Sequence, residues 1–212
     1  MKTILCYGDS NTWGYDAATQ GRFPPPARWP AVLQRDLGDG YAVIAEGLNG
    51  RTTVWPDPVE GEYKSGKSYL IPCLESHHPV DLVAILLGTN DLKHRFGLSA
   101  WDIARSAATL VQMVMGSAFG PAGAAPEVLL IAPPPTIVAG GPFAEMFAGA
   151  DEKSRDLGRC YRAVAAELGC AFLDAGQVIV STKLDGIHLD AEEQVKLGRA
   201  VAAAAAVRRL LG

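Results

Sequence analysis

The sequence has 212 residues, of which 49% are hydrophobic and 20% are charged, and its formal net charge is -4 at pH 7. These values are typical of a globular protein, and the length predicts a single domain over residues 1–212. The weak negative charge and the lack of a basic run argue against nucleic acid as a partner. Because the chain has no signal-peptide pattern, no membrane-spanning stretch and no CxxC spacing, we expect no membrane partner and a cytoplasmic location.

Short apolar segments alternate with amphipathic ones along the whole chain. The clearest strand is 81–87, an almost continuous apolar run that indicates burial on both faces, as in a parallel sheet. The other expected strands cover 3–7, 41–45, 128–132 and 171–173, and the expected helices cover about 28–37, 68–78, 99–114, 157–168 and 190 through the alanine tract at 202–206. Two capping boxes are predicted, Ser99 with Asp102 and Asp190 with Glu193.

This alternation predicts an α/β fold with helices on both faces of one parallel sheet. Five strands favour the flavodoxin-like, doubly wound arrangement, which has three layers in the order α/β/α. In such a sheet, ligands bind beyond the carboxyl ends of the strands. The residues that follow each strand are therefore the first candidates for a functional site.

Chemically useful residues follow four of the apolar segments: Ser10, Asn49 with Gly50, Asn90, and Asp185 with His188. A parallel sheet projects all of these residues over the same edge. A hydroxyl, an imidazole with a nearby carboxylate, a side-chain amide and glycine amides are the groups that acyl transfer requires.

Asp185 and His188 are three positions apart in one loop, so the carboxylate can accept a hydrogen bond from the imidazole and fix its tautomer. The other imidazole nitrogen would then take the proton of Ser10. Simpler interpretations remain open at this point, because Gly-Asp-Ser is also a common turn and an isolated Asn90 is also typical of an Asx turn.

His77 and His78 are adjacent on a predicted helix, where neighbours do not face each other, so no metal site is expected there.

Four sequence blocks occur in an order that resembles the SGNH (GDSL-type) hydrolases, and more narrowly their bacterial arylesterase and acyltransferase branch. The blocks are Gly8-Asp9-Ser10, the glycine block at 47–50, Gly88-Thr89-Asn90-Asp91, and Asp185-Gly186-Ile187-His188. The resemblance implies the SGNH hydrolase fold with Ser10 as nucleophile, His188 as base and Asp185 as its partner. It also implies an oxyanion hole formed by the amides of Ser10 and Gly50 and the side chain of Asn90. One departure is Asn11, where the family name implies leucine.

We therefore expect a serine esterase that hydrolyses small, short-acyl carboxylic esters through an acyl-enzyme, without a metal or an organic cofactor, and that can transfer the acyl group to alcohols or peroxide. The expected substrate contacts are Asn11, Thr89, Lys93 and Ile187. The alternatives are a carbohydrate acetylesterase, whose sugar site the 54–67 loop would line with Trp55, Tyr63 and Lys64, and a non-enzymatic flavodoxin-like binding protein. The sequence has no glycine-rich phosphate loop to support the latter.

Two loops, 54–67 and 133–150, are rich in aromatic and apolar residues, among them Trp55, Phe143, Met146 and Phe147. Loops normally run over the surface, and large exposed apolar patches usually mark interfaces. Since the branch that the chain resembles includes homo-oligomers, we expect this protein to be a homo-oligomer.

Overall fold

The computed structural model describes residues 1–138, 140–141, 143–204 and 207. A parallel sheet of five strands forms the centre, and a two-stranded antiparallel ribbon lies beside it. In chain order the strands are β1 (Lys2–Gly8), β2 (Tyr15–Asp16), β3 (Gly21–Arg22), β4 (Tyr41–Gly47), β5 (Leu82–Leu86), β6 (Glu127–Ala132) and β7 (Ala171–Asp174). The short strands β2 and β3 form the ribbon, and the other five form the sheet.

The strands of the sheet are ordered β4-β1-β5-β6-β7, and every neighbouring pair is parallel. This is the flavodoxin-like order, so the predicted fold class is confirmed. The central strand β5 is buried along its whole length, which explains its continuous apolar sequence.

Helices cover both faces of the sheet. They are α1 (Ser10–Trp13), α2 (Trp29–Leu37), α3 (Gly66–His77), α4 (Ala100–Met115), α5 (Ala150–Ser154), α6 (Leu157–Leu168) and α7 (Ala191–Ala203). The buried side chains form two clusters, one under α3, α4 and α6 and the other under α2 and α7. Three layers result, as predicted. Among the described residues, no helix combines the length and apolar character needed to cross a membrane.

The two predicted capping boxes had different outcomes. The box at the start of α4 is present, because Ser99 and Asp102 each accept a hydrogen bond from the other's backbone N–H. The box predicted for α7 was wrong. Asp190 stands at the N-cap position without a capping hydrogen bond, and the Glu193 carboxylate instead accepts from the backbone N–H of Val180 and from Lys196. A tertiary contact has replaced the local one.

The far end of α7 also differs from the prediction. The helix ends at Ala203, and Ala204 is already extended. Residues 205–206 and 208–212, into which the predicted helix continued, lie outside the described residues.

Two glycines at the ends of neighbouring strands make room for the short helix α1. A Cβ atom on Gly47, the last residue of β4, would lie 2.2 Å from the backbone nitrogen of Trp13. A Cβ atom on Gly8, the last residue of β1, would lie 2.0 Å from Thr12 Oγ1. Helix α1 therefore sits directly on the carboxyl ends of β1 and β4, which fixes the position of Ser10.

Candidate active site

Ser10 is the first residue of α1 and lies at the carboxyl edge of the sheet. Asp9 is the N-cap, and its Oδ1 accepts a 2.9 Å hydrogen bond from the backbone N–H of Asn11. Gly14 ends the helix after one turn in the left-handed conformation, with φ of 89°. Ser10 is only 6% exposed, so its hydroxyl opens into a pocket rather than onto a flat surface.

The loop between β7 and α7 brings His188 to this hydroxyl. His188 Nε2 lies 3.0 Å from Ser10 Oγ, and His188 Nδ1 lies 2.6 Å from Asp185 Oδ2. The other Asp185 oxygen accepts hydrogen bonds from the backbone N–H groups of Ile187 and His188, at 2.9 and 3.0 Å. Burial alone would raise the pKa of Asp185, but the hydrogen bonds and the neighbouring His188 hold that pKa below its ordinary value. Asp185 is thus an ionised acceptor that orients the imidazole.

Aromatic rings and a tight turn at Gly186 hold the imidazole in place. The Tyr15 ring centroid lies 4.2 Å from that of His188, and the Phe143 centroid lies 6.2 Å away. Gly186 has a φ of 77°, and its carbonyl accepts from the backbone N–H of Ile137 at 2.9 Å. A Cβ atom on Gly186 would lie 2.6 Å from the Ile137 backbone, so a glycine is required where the two segments meet.

Three groups that can donate to an oxyanion line the same pocket as Ser10 Oγ. The backbone N–H groups of Ser10 and Gly50 have no acceptor among the described residues. Asn90 Nδ2 donates one hydrogen bond, 3.1 Å long, to the carbonyl of Arg51 and retains a second N–H. The Arg51 guanidinium in turn donates to the carbonyls of Gly8 (2.8 Å) and Glu46, which ties the loop after β4 to the loop that carries Ser10.

The pocket has a volume of about 160 Å³ and two chemically different walls. The apolar wall consists of Tyr15, Phe143, Met146, Phe147 and Ile187, and the polar wall consists of Asn49, Gly50, Glu60, Asn90 and Lys93. The prediction that the 133–150 loop adds exposed aromatic surface is therefore wrong for Phe147, which is 4% exposed. The loop folds back over the edge of the sheet, so its aromatic side chains cover the pocket rather than the outside of the molecule.

The four predicted substrate contacts divide into two pairs. Lys93 and Ile187 line the pocket, whereas Asn11 and Thr89 do not. Asn11 is 2% exposed, and its Nδ2 lies 3.4 Å from the carbonyl of Ile187, so it supports the histidine loop from behind. Thr89 is 4% exposed and lies beside Asp9. Both residues are next in sequence to pocket residues, but the backbone turns their side chains into the protein.

Asp9 is buried beneath the site, where it organises the loop that carries Ser10. Burial raises the pKa of Asp9 to about 6, although the Asn11 amide, the His188 side chain, the Arg51 guanidinium and the Thr89 hydroxyl oppose this shift. Its carboxylate binds the backbone of α1 and lies behind the serine.

One group of side chains away from the pocket has the composition of metal ligands. The ligand atoms of Glu46, Cys73 and His77 all lie within 4.8 Å of one another. His77 Nε2 is 2.8 Å from Glu46 Oε1, and burial raises the pKa of the Cys73 thiol to about 12. The hydrogen-bonded pair of His77 and Glu46, with the protonated Cys73 thiol beside it, joins α3 to the edge strand β4.

A five-stranded parallel sheet with a serine, a histidine and an aspartate in contact at its carboxyl edge is the arrangement found in esterases of the SGNH type. The chain belongs to the GDSL-like Lipase/Acylhydrolase family, which it matches over residues 6–195. It is therefore a carboxylic ester hydrolase. The alternative of a non-enzymatic flavodoxin-like binding protein was wrong.

Solved structures of similar proteins agree with this assignment. A carbohydrate acetylesterase family member from Sinorhizobium meliloti is 44% identical with a TM-score of 0.94, and each chain is covered completely. Est24, a carbohydrate acetylesterase from the same organism, is 40% identical with a TM-score of 0.92, over 99% of this chain and 100% of that one. An aryl esterase from M. smegmatis is 42% identical with the same TM-score and the same coverage. A comparison with the curated proteins finds no match.

Proposed function

We propose that this protein is a serine esterase that cleaves small, short-acyl aryl or alkyl esters through an acyl-enzyme, with Ser10 as nucleophile. The observation that carries the proposal is the unbroken chain of contacts from Ser10 Oγ to His188 (3.0 Å) and from His188 to Asp185 (2.6 Å). A serine hydroxyl is a weak nucleophile unless a base within hydrogen-bond reach takes its proton, and His188 meets that requirement.

In the proposed reaction, Ser10 Oγ attacks the ester carbonyl while His188 Nε2 takes the hydroxyl proton. Asp185 holds the Nδ1 proton and stabilises the imidazolium that forms. The imidazolium then donates its proton to the departing alcohol oxygen, and the acyl group remains on Ser10. Water attacks the acyl-enzyme with His188 again as base, which releases the acid and restores the serine.

The negative charge on the carbonyl oxygen during these steps needs fixed donors. We assign this role to the N–H groups of Ser10 and Gly50 and to Asn90 Nδ2. They line one pocket, and each has an N–H without an acceptor among the described residues. Donors that are already oriented stabilise the developing charge without reorganisation, which is where most of the rate increase in such sites arises.

The size of the pocket favours small substrates. Its volume of about 160 Å³ is below the roughly 300 to 1,000 Å³ of pockets that hold drug-sized ligands. The test is the specificity constant for p-nitrophenyl esters from acetyl to octanoyl, with the Ser10→Ala variant as the blank. Acetyl and propionyl esters should react fastest, and a specificity constant that rises steadily to octanoyl would contradict the proposed short pocket.

A second candidate function is the removal of acetyl groups from carbohydrates. The polar wall of the pocket favours it, because Glu60 and Lys93 offer hydrogen bonds that an apolar alcohol cannot use. Two of the similar solved structures are also described as carbohydrate acetylesterases. The prediction that Trp55, Tyr63 and Lys64 line a sugar site was wrong, because none of the three lines the pocket. Lys64 binds the carbonyl of Asn49 at 2.7 Å, and Trp55 and Tyr63 are exposed on the same loop. Release of acetate from acetylated xylose, beside the aryl ester series, tests this function.

We also propose that the protein is cytoplasmic and forms a homo-oligomer. The support for assembly is the exposed apolar surface of the 54–67 loop, where Trp55, Val59 and Tyr63 are 40%, 74% and 66% exposed. Light scattering at micromolar concentration should give a multiple of the 22.4 kDa chain mass. A single-chain mass would refute the proposed assembly.

A further inference from the structure

We infer that Glu60 and Asn49 form a recognition subsite for free hydroxyl groups on the alcohol portion of the ester, such as those of a polyol or sugar. This inference rests on the proposed esterase function and names the class of alcohol. On the polar wall, hydrogen-bonding groups of Glu60 and Asn49 have no partner among the described residues.

Glu60 is held rigidly by two cations on one of its oxygens. Its Oε1 accepts from Lys93 Nζ at 2.6 Å and from Arg95 Nη2 at 3.4 Å. Lys93 is 2% exposed and also lies 3.4 Å from Asp57, which is fully buried and pairs with Arg95 at 3.0 Å. These four side chains carry two positive and two negative charges, so the cluster is neutral, and the buried Lys93 and half-buried Arg95 hold Glu60 in position.

The second oxygen of Glu60 is free and lies at the oxyanion-hole loop. Among the described residues none donates to Glu60 Oε2, whereas both cations bind Oε1. A Cβ atom on Gly50 would lie 2.6 Å from this oxygen, so the missing side chain at position 50 leaves the space that Oε2 occupies. Glu60 therefore presents a hydrogen-bond acceptor to the pocket beside the proposed oxyanion donor.

Asn49 adds a second unused polar group to the same wall. Its Oδ1 is buried, and its side chain has no hydrogen-bond partner among the described residues. Buried polar groups are almost always paired, and leaving one unpaired costs stability. A ligand oxygen at this wall can accept a hydrogen bond from Asn49 Nδ2, which has no acceptor among the described residues.

The chemistry of the wall selects a hydroxyl group over the other candidates. Glu60 Oε2 requires a donor and Asn49 Nδ2 requires an acceptor, and adjacent hydroxyls on one carbon chain supply both. A carboxylate beside an oxyanion hole would oppose catalysis if its charge were not compensated. Lys93 and Arg95 supply that compensation, which explains why two cations converge on Glu60.

The experiment compares two esters, 2,3-dihydroxypropyl acetate and 2,3-dimethoxypropyl acetate, in the wild-type protein and in Glu60→Gln. The ether oxygens accept hydrogen bonds but cannot donate them. In the variant, the glutamine carbonyl should remain with Lys93 and Arg95, which places the NH₂ group where Oε2 was. The wild type should prefer the diol by about tenfold in kcat/KM, and the variant should lose that preference because its NH₂ serves both esters equally.

Glu62→Gln is the matched control, because Glu62 is an exposed carboxylate two positions along the loop that does not line the pocket. It should keep the wild-type ratio of kcat/KM for the diol ester to kcat/KM for the dimethoxy ester. Asn49→Ala is the second variant, and it should reduce the ratio about threefold even if Glu60→Gln fails to fold. A wild-type ratio near one, or an equal ratio in both pocket variants and the wild type, would overturn the subsite. Failure to hydrolyse phenyl acetate would instead reject the esterase proposal itself, so the two failures are distinguishable.

Discussion

His188 Nε2 lies 3.0 Å from Ser10 Oγ, although 178 positions separate the two residues in the sequence. The first strand of the sheet delivers the serine, and the loop after the last strand delivers the histidine. Gln194 joins these two ends of the chain from behind, since it donates to the carbonyl of Asn11 at 2.9 Å and accepts from the backbone N–H of Trp29 at 2.9 Å. Gln194 of α7 thus ties the helix that follows the histidine loop to α2 and to the helix that carries Ser10.

The first prediction concerns Ser10 and His188. Ser10→Ala removes the nucleophile and His188→Ala removes the base, so each should lower kcat by about 10⁴-fold or more while the protein stays folded. Steady-state hydrolysis of p-nitrophenyl acetate measures the loss, and circular dichroism checks the fold. The matched controls are Ser68→Ala and His94→Ala, which alter exposed residues of the same types. Activity of Ser10→Ala within tenfold of the wild type would reject the mechanism.

The second prediction concerns Asn90, whose side chain has both a structural and a proposed catalytic role. Asn90→Ala should lower kcat by about 10²- to 10³-fold, or about 3 to 4 kcal/mol, with little change in KM, because the lost donor acts on charge that develops only in the transition state. The variant also loses the hydrogen bond to the Arg51 carbonyl, so thermal unfolding is measured alongside. If the melting temperature falls and kcat holds, Asn90 is a turn residue only.

The third prediction tests whether α1 needs the glycine at the end of β4. Gly47→Ala places a Cβ atom 2.2 Å from the Trp13 backbone nitrogen, which cannot yield as a flexible side chain could. The shift of α1 should lower stability by about 1 to 3 kcal/mol and kcat by about tenfold or more, because it moves Ser10 relative to His188. Gly40→Ala is the control, since a Cβ atom there meets nothing within 4 Å. Equal stability of the two variants in urea unfolding would contradict this account.

The sequence was sufficient for the sheet because its strands are short apolar runs and its helices are amphipathic. The alternation of the two predicted a parallel sheet, and the number of strands favoured the flavodoxin-like order. The capping box at Ser99 was predictable because both partners are three residues apart, whereas the partner of Glu193 is the backbone of Val180, which no local pattern indicates. Local rules fail where a long-range contact satisfies the same group.

The sequence identified the site residues that belong to a motif. It did not identify which neighbouring side chains point into the pocket. Asn11 and Thr89 are adjacent to pocket residues but turn inward, and sequence adjacency does not contain that information. Glu60 was missed because its position depends on Lys93 and Arg95, which are more than thirty positions away. Phe147 was expected on the surface because loops normally run over the outside of a protein, yet it is buried and lines the pocket.

The fourth prediction concerns the pH dependence of stability through Asp91. This carboxylate accepts from the backbone N–H of Thr53 at 3.0 and 3.1 Å and from the Thr53 hydroxyl, but burial raises its pKa to about 6. The folded protein therefore binds a proton that the unfolded chain has released between about pH 4 and 6. Over that window, the Asp91 contribution to the free energy of unfolding falls as pH rises, by an amount on the order of 3 kcal/mol.

Asp91→Asn should remove this contribution, because an amide does not titrate and can still accept from Thr53. The difference in unfolding free energy between variant and wild type, measured in urea at pH 4.5 and pH 7, should shift in favour of the variant at the higher pH. Asp39→Asn, which alters an exposed carboxylate, is the control. A difference that is the same at both pH values would show that Asp91 titrates alike in the folded and unfolded protein.

The last prediction concerns the acceptor that releases the acyl group from Ser10. Tyr15 and Phe143 pack against the His188 ring, and Phe147 lines the same pocket, so this apolar wall limits the water that reaches the acyl-enzyme. A small primary alcohol or hydrogen peroxide should therefore compete with water and give a new ester or a peracid. The test uses vinyl acetate and 1-propanol in buffer. We expect the fraction of acetyl groups recovered as propyl acetate to exceed the mole fraction of 1-propanol in the solvent. Phe143→Ala should open the wall and lower that share, whereas Phe172→Ala alters an aromatic residue away from the pocket and should not. Free acetate as the sole product would show that water enters the site freely and that the protein acts only as a hydrolase.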